Sequence, residues 1–416
     1  MPVEHPAYLV AGLGFGDEGK GQTTDALVRH TGSDLVIRYN GGAQCAHNVV
    51  SPEGKHHTFA QFGSGTFVPG VRTYLSRFVL VNPVSMMIEE QELRRVGVYD
   101  GFDRMFVDCQ AVVITPYQRA LNRLQEIARN KGRHGSTGMG IGVAREHQLE
   151  HGDKVLLVGD LPNKKITKEK LEWSRYLCMK AAHKLVYDYT PAAQREIGLL
   201  HGSHTTPWYL DRYAEFCQQA RIVSEPPLQY TGLVFEGAQG MLLDEEHGFQ
   251  PHTTWTDITY KNAETIMKEM GYVGNSCPVH RVGVLRTYYT RHGAGPFPSE
   301  NNELLGYVKD QELHNKPEEY TGDFRVGLFD IPLMLYALDC ISGVDSLAIN
   351  HVDVAVKLGA VPVRLTPDKS ESWEVDYFLN KIQDLAETPL SIIGHGQSYN
   401  FRDFFPAIEA IRPCQN

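Results

Sequence analysis

The chain has 416 residues, 42% hydrophobic and 22% charged, with a formal net charge of −10. That balance suits a folded globular protein of one large α/β domain or a few smaller ones, and argues against a general nucleic-acid binder, which carries a basic field. Its seven cysteines form no C-x-x-C pair, which argues against a zinc site or a disulfide framework and for free thiols in a reducing cytosol, and no apolar run reaches the about 18 residues of a membrane helix, so a cytoplasmic enzyme or binding protein is expected.

In chain order, the first predicted strand, YLVAG (8–12), runs into 12-GLGFGDEGKGQTTD-25, with a helix expected from about Gln22. Strand, glycine-rich turn and helix is an arrangement that holds phosphate, because the backbone N–H groups of Gly19, Lys20 and Gly21 point out of the helix start. The spacing is not that of the P-loop. Instead an acidic pair, Asp17-Glu18, sits inside the turn. A carboxylate there repels phosphate unless Mg²⁺ lies between them, or unless it takes a proton from a substrate held beside the phosphate. The plainer reading is a glycine turn with surface acids.

The next strand, SDLVIRY (33–39), leads into 38-RYNGGAQCAHNVV-50, which presents Asn40, Gln44, His47 and Asn48. Strands are expected at RMFVDCQAVVI (104–114) and DKVLLVGD (153–160), and helices over 115–129 and 171–187, where apolar residues recur at helical spacing. Between the helices, 135-GSTGMGIGVA-144 offers the hydroxyls of Ser136 and Thr137 beside exposed glycine N–H groups. The part around 110–225 reads as a helical excursion from the sheet.

Further along, GLVFEGA (232–238) ends in a tight turn at Gln239, and HRVGVLRTYY (280–289) enters 290-TRHGAGPFPSE-300, flanked by Arg291 and Glu300. In 320-YTGDFRVGLFD-330, Arg325 is the natural clamp for a carboxylate or phosphate. DSLAINHVDV (345–354) ends in Asn-His-x-Asp, similar to the Asn-Lys-x-Asp of guanine-binding GTPases. Taken singly, each stretch reads as readily as a structural turn. Together, the buried strands alternating with helices predict an α/β fold: a large, mostly parallel central sheet flanked by helices.

The order of these stretches resembles adenylosuccinate synthetase, a purine-pathway ligase family, over nearly the whole chain. The family's GxxxGDEGKGK stands here as GLGFGDEGKGQ, its GGxNAGHT as GGAQCAHN and its STGxGIGP as STGMGIGV. Its FEGAQGxLLDxxxGxxPxVTSS stands as FEGAQGMLLDEEHGFQPHTTWT, its TRVGxGPFPTE as TRHGAGPFPSE and its TKLDV as NHVDV. The resemblance implies one GTP-binding ligase domain over 1–416 and a reaction in two steps: GTP phosphorylates O6 of IMP, then the amine of aspartate displaces that phosphate from C6.

By the same resemblance, Asp17 removes the N1 proton of IMP and touches Mg²⁺, to which Ala46 adds its backbone carbonyl. His47 is the acid at the transferring phosphoryl group, Lys20 and Gly19 contact that group, and Gln239 bonds the base near O6. Gly16, Glu18, Gly21 and Gln22 complete the loop around the GTP phosphates. Gln44, Thr137 and Thr254 serve the substrate nucleotide, and Thr321 and Arg325 the amino acid. Asp353 reads guanine beside His351, with the turn of Gly394 and Gly396 near it. A homodimer is implied as well.

The departures concern recognition. Gln44, Ala46 and Asn48 replace the family's Asn, Gly and Thr. The arginine that reaches across the family's dimer for the nucleotide phosphate falls at Glu150 or His151, with Arg145 the nearest arginine. TGRxRRxGWxD has become TGDFRVGLFD, so Arg325 alone remains of that run, and the arginine bridging ribose and amino acid falls at Asp323 or Phe324. A missing arginine costs about 2–5 kcal/mol when its anionic partner stays buried. Two alternatives therefore stand beside the IMP–aspartate ligase. One is a paralog using the same phosphoryl transfer on a different purine-like nucleotide or amino acid. The other is a non-catalytic GTP-binding regulator, against which the joint presence of Asp17, Lys20, His47 and Gln239 argues.

Overall fold

The computed structural model describes residues 5–272, 278–309, 322–341 and 343–409. The strand Ala7–Gly12 shows why the centre is a sheet buried on both faces. Ala7, Leu9 and Ala11 enter one hydrophobic core and Tyr8 and Val10 another, all essentially inaccessible to water. Side chains alternate across a strand, so an unbroken apolar run requires cover on both sides, which helices supply in parallel sheets.

The sheet has ten strands, in the spatial order Arg402–Phe404, Leu390–Gly394, Ser346–Asn350, Val279–Arg286, Ala7–Gly12, Leu233–Gly240, Leu35–Arg38, Arg72–Leu75, Met105–Asp108 and Arg221–Val223. Every neighbouring pair is parallel except the edge pair of 390–394 with 402–404. The expected fold class is thus the observed one. Ligands of such sheets bind beyond the carboxyl ends of the strands, and here the loops following 7–12, 233–240, 279–286 and 346–350 emerge side by side.

Five helices lie between residues 116 and 219, before the chain returns to the sheet edge at Arg221–Val223: Pro116–Arg129, Ile141–His151, Lys164–Ala182, Pro191–His201 and Thr205–Gln219. They pack against that edge of the sheet in a second core, which joins Leu121, Leu171, Tyr213 and Phe216 to Leu75 and Val107 of the strands. Their starts are written locally. Thr115 and Gln118 form a reciprocal capping box, and Thr190 caps a helix whose first residue is Pro191.

Three expectations need correction. DKVLLVGD is not a strand but two 3₁₀ turns, Gly152–Lys154 and Val158–Asp160, and the residues between and after them hydrogen-bond through the backbone to 109–113, with one bridge between Leu157 and Val112. Val155, Leu156 and Val158 are buried, so the apolar run reports burial beside 109–113 rather than a strand of the central sheet. The helix expected over 171–187 begins earlier and ends earlier, at Lys164–Ala182, because Asn163 caps it. The strand expected over 345–354 stops at Asn350, and His351, at φ 59°, turns the chain into the helix Val352–Leu358.

Two small pairings shape the site. His47–Val50 forms a hairpin with His56–Phe59, and Tyr289–His292 pairs antiparallel with Phe324–Gly327, setting Arg291 opposite Arg325 and His292 opposite Phe324.

Candidate active site

The glycine turn after the first strand is built around Glu18. This buried carboxylate accepts the Gly16 N–H at 2.7 Å and the Lys20 ammonium at 2.7 Å, and the same ammonium donates to the Gly16 carbonyl at 2.7 Å. Lys20 is only 1% exposed. The pair therefore folds the turn back on itself, leaving its N–H groups at the start of Lys20–Thr31 as the anion-binding feature. Gly19 sits at φ 91°, where a side chain would also lie 2.8 Å from the Asn350 amide. Gly21 has no such strain, but a methyl group there would stand 2.7 Å from the Cβ of His47. Both glycines are required by close approach.

Asp17 points the other way. Its Oδ2 meets His292 Nε2 at 3.0 Å, and Arg286 donates to its backbone carbonyl at 3.0 Å. Burial alone would raise its pKa, but His292, Arg286 and Lys20 outweigh burial and hold it well below the usual carboxylate range.

His47 begins its hairpin with Nδ1 2.5 Å from Glu236 Oε1. Glu236 is completely buried in the strand Leu233–Gly240, where it also accepts the Ser64 N–H at 2.9 Å and the Ser64 hydroxyl and lies 4.0 Å from Arg38 Nε. Burial lowers the His47 pKa, partly offset by Glu236. For Glu236, burial pushes upward, but Arg38 and His47 prevail and keep it a carboxylate. The carboxylate fixes Nδ1 as the bonded nitrogen and so orients the ring, as in triads that hold a histidine for acid–base work.

A cavity of about 310 Å³ opens beside this centre, with Gln44, Thr137, Gln239, Thr254, Trp255 and His292 on its wall. Gln239 takes φ 56°, rare for a side-chain-bearing residue, and its amide nitrogen is 3.6 Å from Cys45 Sγ. Such backbone strain is typically found at functional sites. The side-chain oxygens of Gln44 and Gln239 are buried without a protein partner, as expected of groups awaiting a polar ligand.

The far end of the glycine loop joins the strand Ser346–Asn350. Asn350 donates to the Glu18 carbonyl at 2.8 Å and accepts from Arg402 at 2.6 Å, and Arg402 also reaches Gln22 at 2.5 Å. Asp353 is in the first turn of the next helix, facing Lys357 at 3.9 Å, and Gly394 ends its strand against Asn350 and Arg402. Gly396 follows in the turn packed on Phe401.

The structure thus brings together the 16–22 loop, His47, exposed Ala46 and Gln239 at the centre, Gln44, Thr137 and Thr254 in the cavity, and His351, Asp353, Gly394 and Gly396 at the far end. Thr321 lies outside the described residues. Arg325 is not on the cavity wall: it grips both oxygens of Glu300, at 2.9 and 2.5 Å, and the carbonyls of Gly293 and Gly295. Arg145 bonds Gln148 and lines a separate cavity. Asp323 is exposed and accepts the Gly293 N–H through its carbonyl at 2.9 Å. Sequence reasoning missed Glu236, Asn350, Arg286 and His292. A lone carboxylate in an apolar strand run was the readable signal for Glu236, since a buried charge requires a partner. A histidine in place of valine was the signal at 292.

A metal held by protein alone does not fit: among the described residues no three His, Cys, Asp or Glu side chains cluster as ligands. A sparsely held Mg²⁺ does fit, because an ionised Asp17 and the Ala46 carbonyl are oxygen donors of the kind it takes alongside water and phosphate. Among the described residues no helix is long and apolar enough to cross a membrane.

The adenylosuccinate synthetase family model matches residues 9–390. Adenylosuccinate synthetase of Clostridium beijerinckii is 31% identical over 399 residues, 92% of this chain and 85% of that protein. The enzyme of Halothermothrix orenii is 32% identical over 367 residues, 85% of this chain and 79% of that one. Among solved structures, the fully ligated adenylosuccinate synthetase of Plasmodium falciparum superimposes with a TM-score of 0.75 at 21% identity, covering 96% of this chain and 99% of that one. The succinoaminodeoxyadenylate synthetase of cyanophage S-2L, bound to dGMP and to dATP as energy donor, gives 0.62 at 19% identity, covering 99% of each chain. The match over nearly the whole chain, joined to the glycine turn and the paired histidine described above, places this protein in the adenylosuccinate synthetase family, GTP-dependent ligases that form a C–N bond in purine biosynthesis.

Proposed function

We propose that the protein moves the γ-phosphoryl group of GTP onto O6 of IMP and then joins aspartate at C6, giving adenylosuccinate, GDP and phosphate. The observation that supports it most is the fully engaged pair of His47 and Glu236 standing over the helix start that holds phosphate. A protein that merely bound GTP would need no oriented imidazole there.

In this reading Asp17, ionised at neutral pH, takes the N1 proton, and O6 becomes the nucleophile. Gln239, with its unpartnered carbonyl oxygen, orients the base, and Gln44, Thr137 and Thr254 hold the rest of the nucleotide. His47, its Nδ1 fixed by Glu236, presents its other nitrogen to the phosphoryl oxygens, whose charge draws the ring toward protonation. The N–H groups of Gly19, Lys20 and Gly21 cradle the phosphates, while Glu18 and Lys20 keep the turn in shape. Gly16 and Gln22 close the loop, and Asp353, with His351, Gly394 and Gly396 around it, reads guanine. Thr321 and Arg325 border the amino acid, Arg325 by holding the 293–295 turn. Asp17 and Ala46 would hold Mg²⁺, which supplies charge neutralisation at the donor phosphates. The reading includes a cytoplasmic homodimer, checked by light scattering at micromolar concentration, where a monomer overturns it.

One observation favours a second reading. Among the described residues Arg325 is engaged on Glu300 and Arg145 lines a separate cavity, so neither supplies the arginine contacts of the family pattern. That suits a paralog acting on another purine nucleotide or another amine. Purine nucleotides, including deoxyguanylate, crossed with amino acids and with GTP or ATP, decide between them by mass spectrometry. The first reading expects adenylosuccinate from IMP and aspartate. Phosphate release that needs neither acceptor nor amine overturns both.

A further inference from the structure

The glycine loop departs from the motif it resembles at its last position. The motif's GDEGKGK ends in lysine, a cation in the first turn of the helix whose start holds phosphate, and Gln22 stands there instead. A cation does reach this place, but from the other end of the chain. Arg402 begins the antiparallel edge strand Arg402–Phe404, where it pairs with Gly394. Its Nη2 donates to Gln22 Oε1 at 2.5 Å and its Nη1 to Asn350 Oδ1 at 2.6 Å. A side chain at Gly394 would collide with Nη1, so the glycine of that turn is what lets the guanidinium through.

The setting is a costly one for a cation. Arg402 is buried, its Nε has no hydrogen-bond partner, and the two oxygens it does bond belong to neutral amides. Burial pulls its pKa down to about 10, which Asp25 and Asp353 offset only in part, so the group stays charged at neutral pH. A buried charge without a charged partner in contact destabilises the fold. An anion held by the N–H groups of Gly19, Lys20 and Gly21 lowers that cost, because Gln22 follows them directly. Asn350, the other partner, also donates to the Glu18 carbonyl at 2.8 Å and to the Thr23 hydroxyl at 3.2 Å, and it immediately precedes His351 and the helix that carries Asp353.

We infer that Arg402 is a positioning residue for the phosphoryl donor: by bridging Asn350 and Gln22 it ties the base-reading turn to the phosphate loop, and it brings to that loop the positive charge that the motif places at position 22. The inference rests on the reading of the glycine loop as the seat of a guanine nucleotide. It deepens that reading by assigning the charge beside the phosphates to a residue 380 positions away in the chain. A lysine at 22 would set a second cation against Arg402, so the loop has room for one of the two charges and not for both.

The test titrates magnesium GDP by calorimetry into the full-length protein, its Arg402→Met and Gln22→Lys variants and the double variant, with thermal melting as the check on folding. Arg402→Met is expected to raise the GDP Kd about tenfold or more, a loss of about 1.4 kcal/mol. Gln22→Lys alone weakens GDP as well, because two cations then face each other. In the Arg402→Met background the same lysine restores the Kd to within about threefold of wild type, a reversal of sign that a merely structural contact does not produce. A GDP Kd within twofold of wild type in folded Arg402→Met, or a Gln22→Lys cost that is equal in both backgrounds, overturns the inference and leaves the ligase reading intact. Where Arg402→Met does not fold, Gln22→Met removes the same bridge from its other end, and unchanged GDP binding in both Gln22→Met and Gln22→Lys overturns it too. A wild type that binds no guanine nucleotide overturns the reading of the loop, and the inference with it. A wild type that binds GDP yet forms no product from any acceptor and amine overturns the ligase reading alone.

Discussion

The proposed phosphoryl-transfer centre and the proposed recognition corner lie next to each other but are built on opposite plans. At the centre, charges are matched inside the protein: Glu18 with Lys20, and Glu236 with His47, Ser64 and Arg38. Each group has one position, and the backbone N–H groups and the His47 ring are what remain for the ligand. In the corner, the arginines are bonded to the protein's own carbonyls and to Glu300, and unpartnered amide oxygens of Gln44 and Gln239 face the cavity. A centre that stabilises one transition state must be preorganised. A wall that selects a substrate can change one side chain at a time without disturbing that geometry.

The strongest way to break this contrast is at Asp17. Asp17→Asn should keep the fold, because the groups that hold the turn are Glu18 and Lys20, yet lose turnover by about 10²–10⁴-fold or more. Thermal melting beside phosphate release checks both halves. Turnover within tenfold of wild type would remove Asp17 from the chemistry.

Glu236→Gln tests whether the centre is also a structural knot. It leaves Arg38 without its buried counter-charge and should destabilise the fold by about 3–5 kcal/mol in urea titrations, the usual cost of breaking a buried pair from one side. A loss below about 1 kcal/mol would mean that water replaces the carboxylate.

Arg325→Met sharpens the other side of the comparison. Its pair with Glu300 is partly exposed, so the stability loss should be about 1 kcal/mol or less. The amino acid KM should stay within about threefold of wild type, because Arg325 is turned to Glu300 and two carbonyls. A larger rise in that KM would show Arg325 leaving Glu300 to bind the donor directly.

The smallest expected effect is on pH dependence. Burial lowers the pKa of His47, His134, His147 and His280 from the ordinary value of 6.5. The folded chain then binds fewer protons than the unfolded one below that value, so stability should fall as pH drops through about 6.5. Denaturation midpoints at pH 7.5 and 5.5 check the sign, and a higher midpoint at pH 5.5 contradicts it.

The sequence was sufficient for the sheet and the phosphate turn because both are local. Apolar runs such as YLVAG end in glycines, and period-two burial on both faces follows from composition alone. It also brought Asp17, His47, Gln239 and the cavity threonines into one reading, since their motifs recur in a fixed order. It failed at DKVLLVGD, where an apolar run is buried and hydrogen-bonded to 109–113 without forming a strand. It also could not tell which charges face the ligand and which face one another. Glu18 and Lys20 look like ligand groups in a glycine turn, but the fold closes them on each other. Arg325 looks like a clamp until Glu300, 25 residues earlier, is set beside it. Glu236 and His47 are 189 positions apart, and only the parallel sheet makes them neighbours. Hydrogen bonds and ion pairs act over about 3–4 Å, so partners distant in sequence become partners only once the sheet has set their spacing.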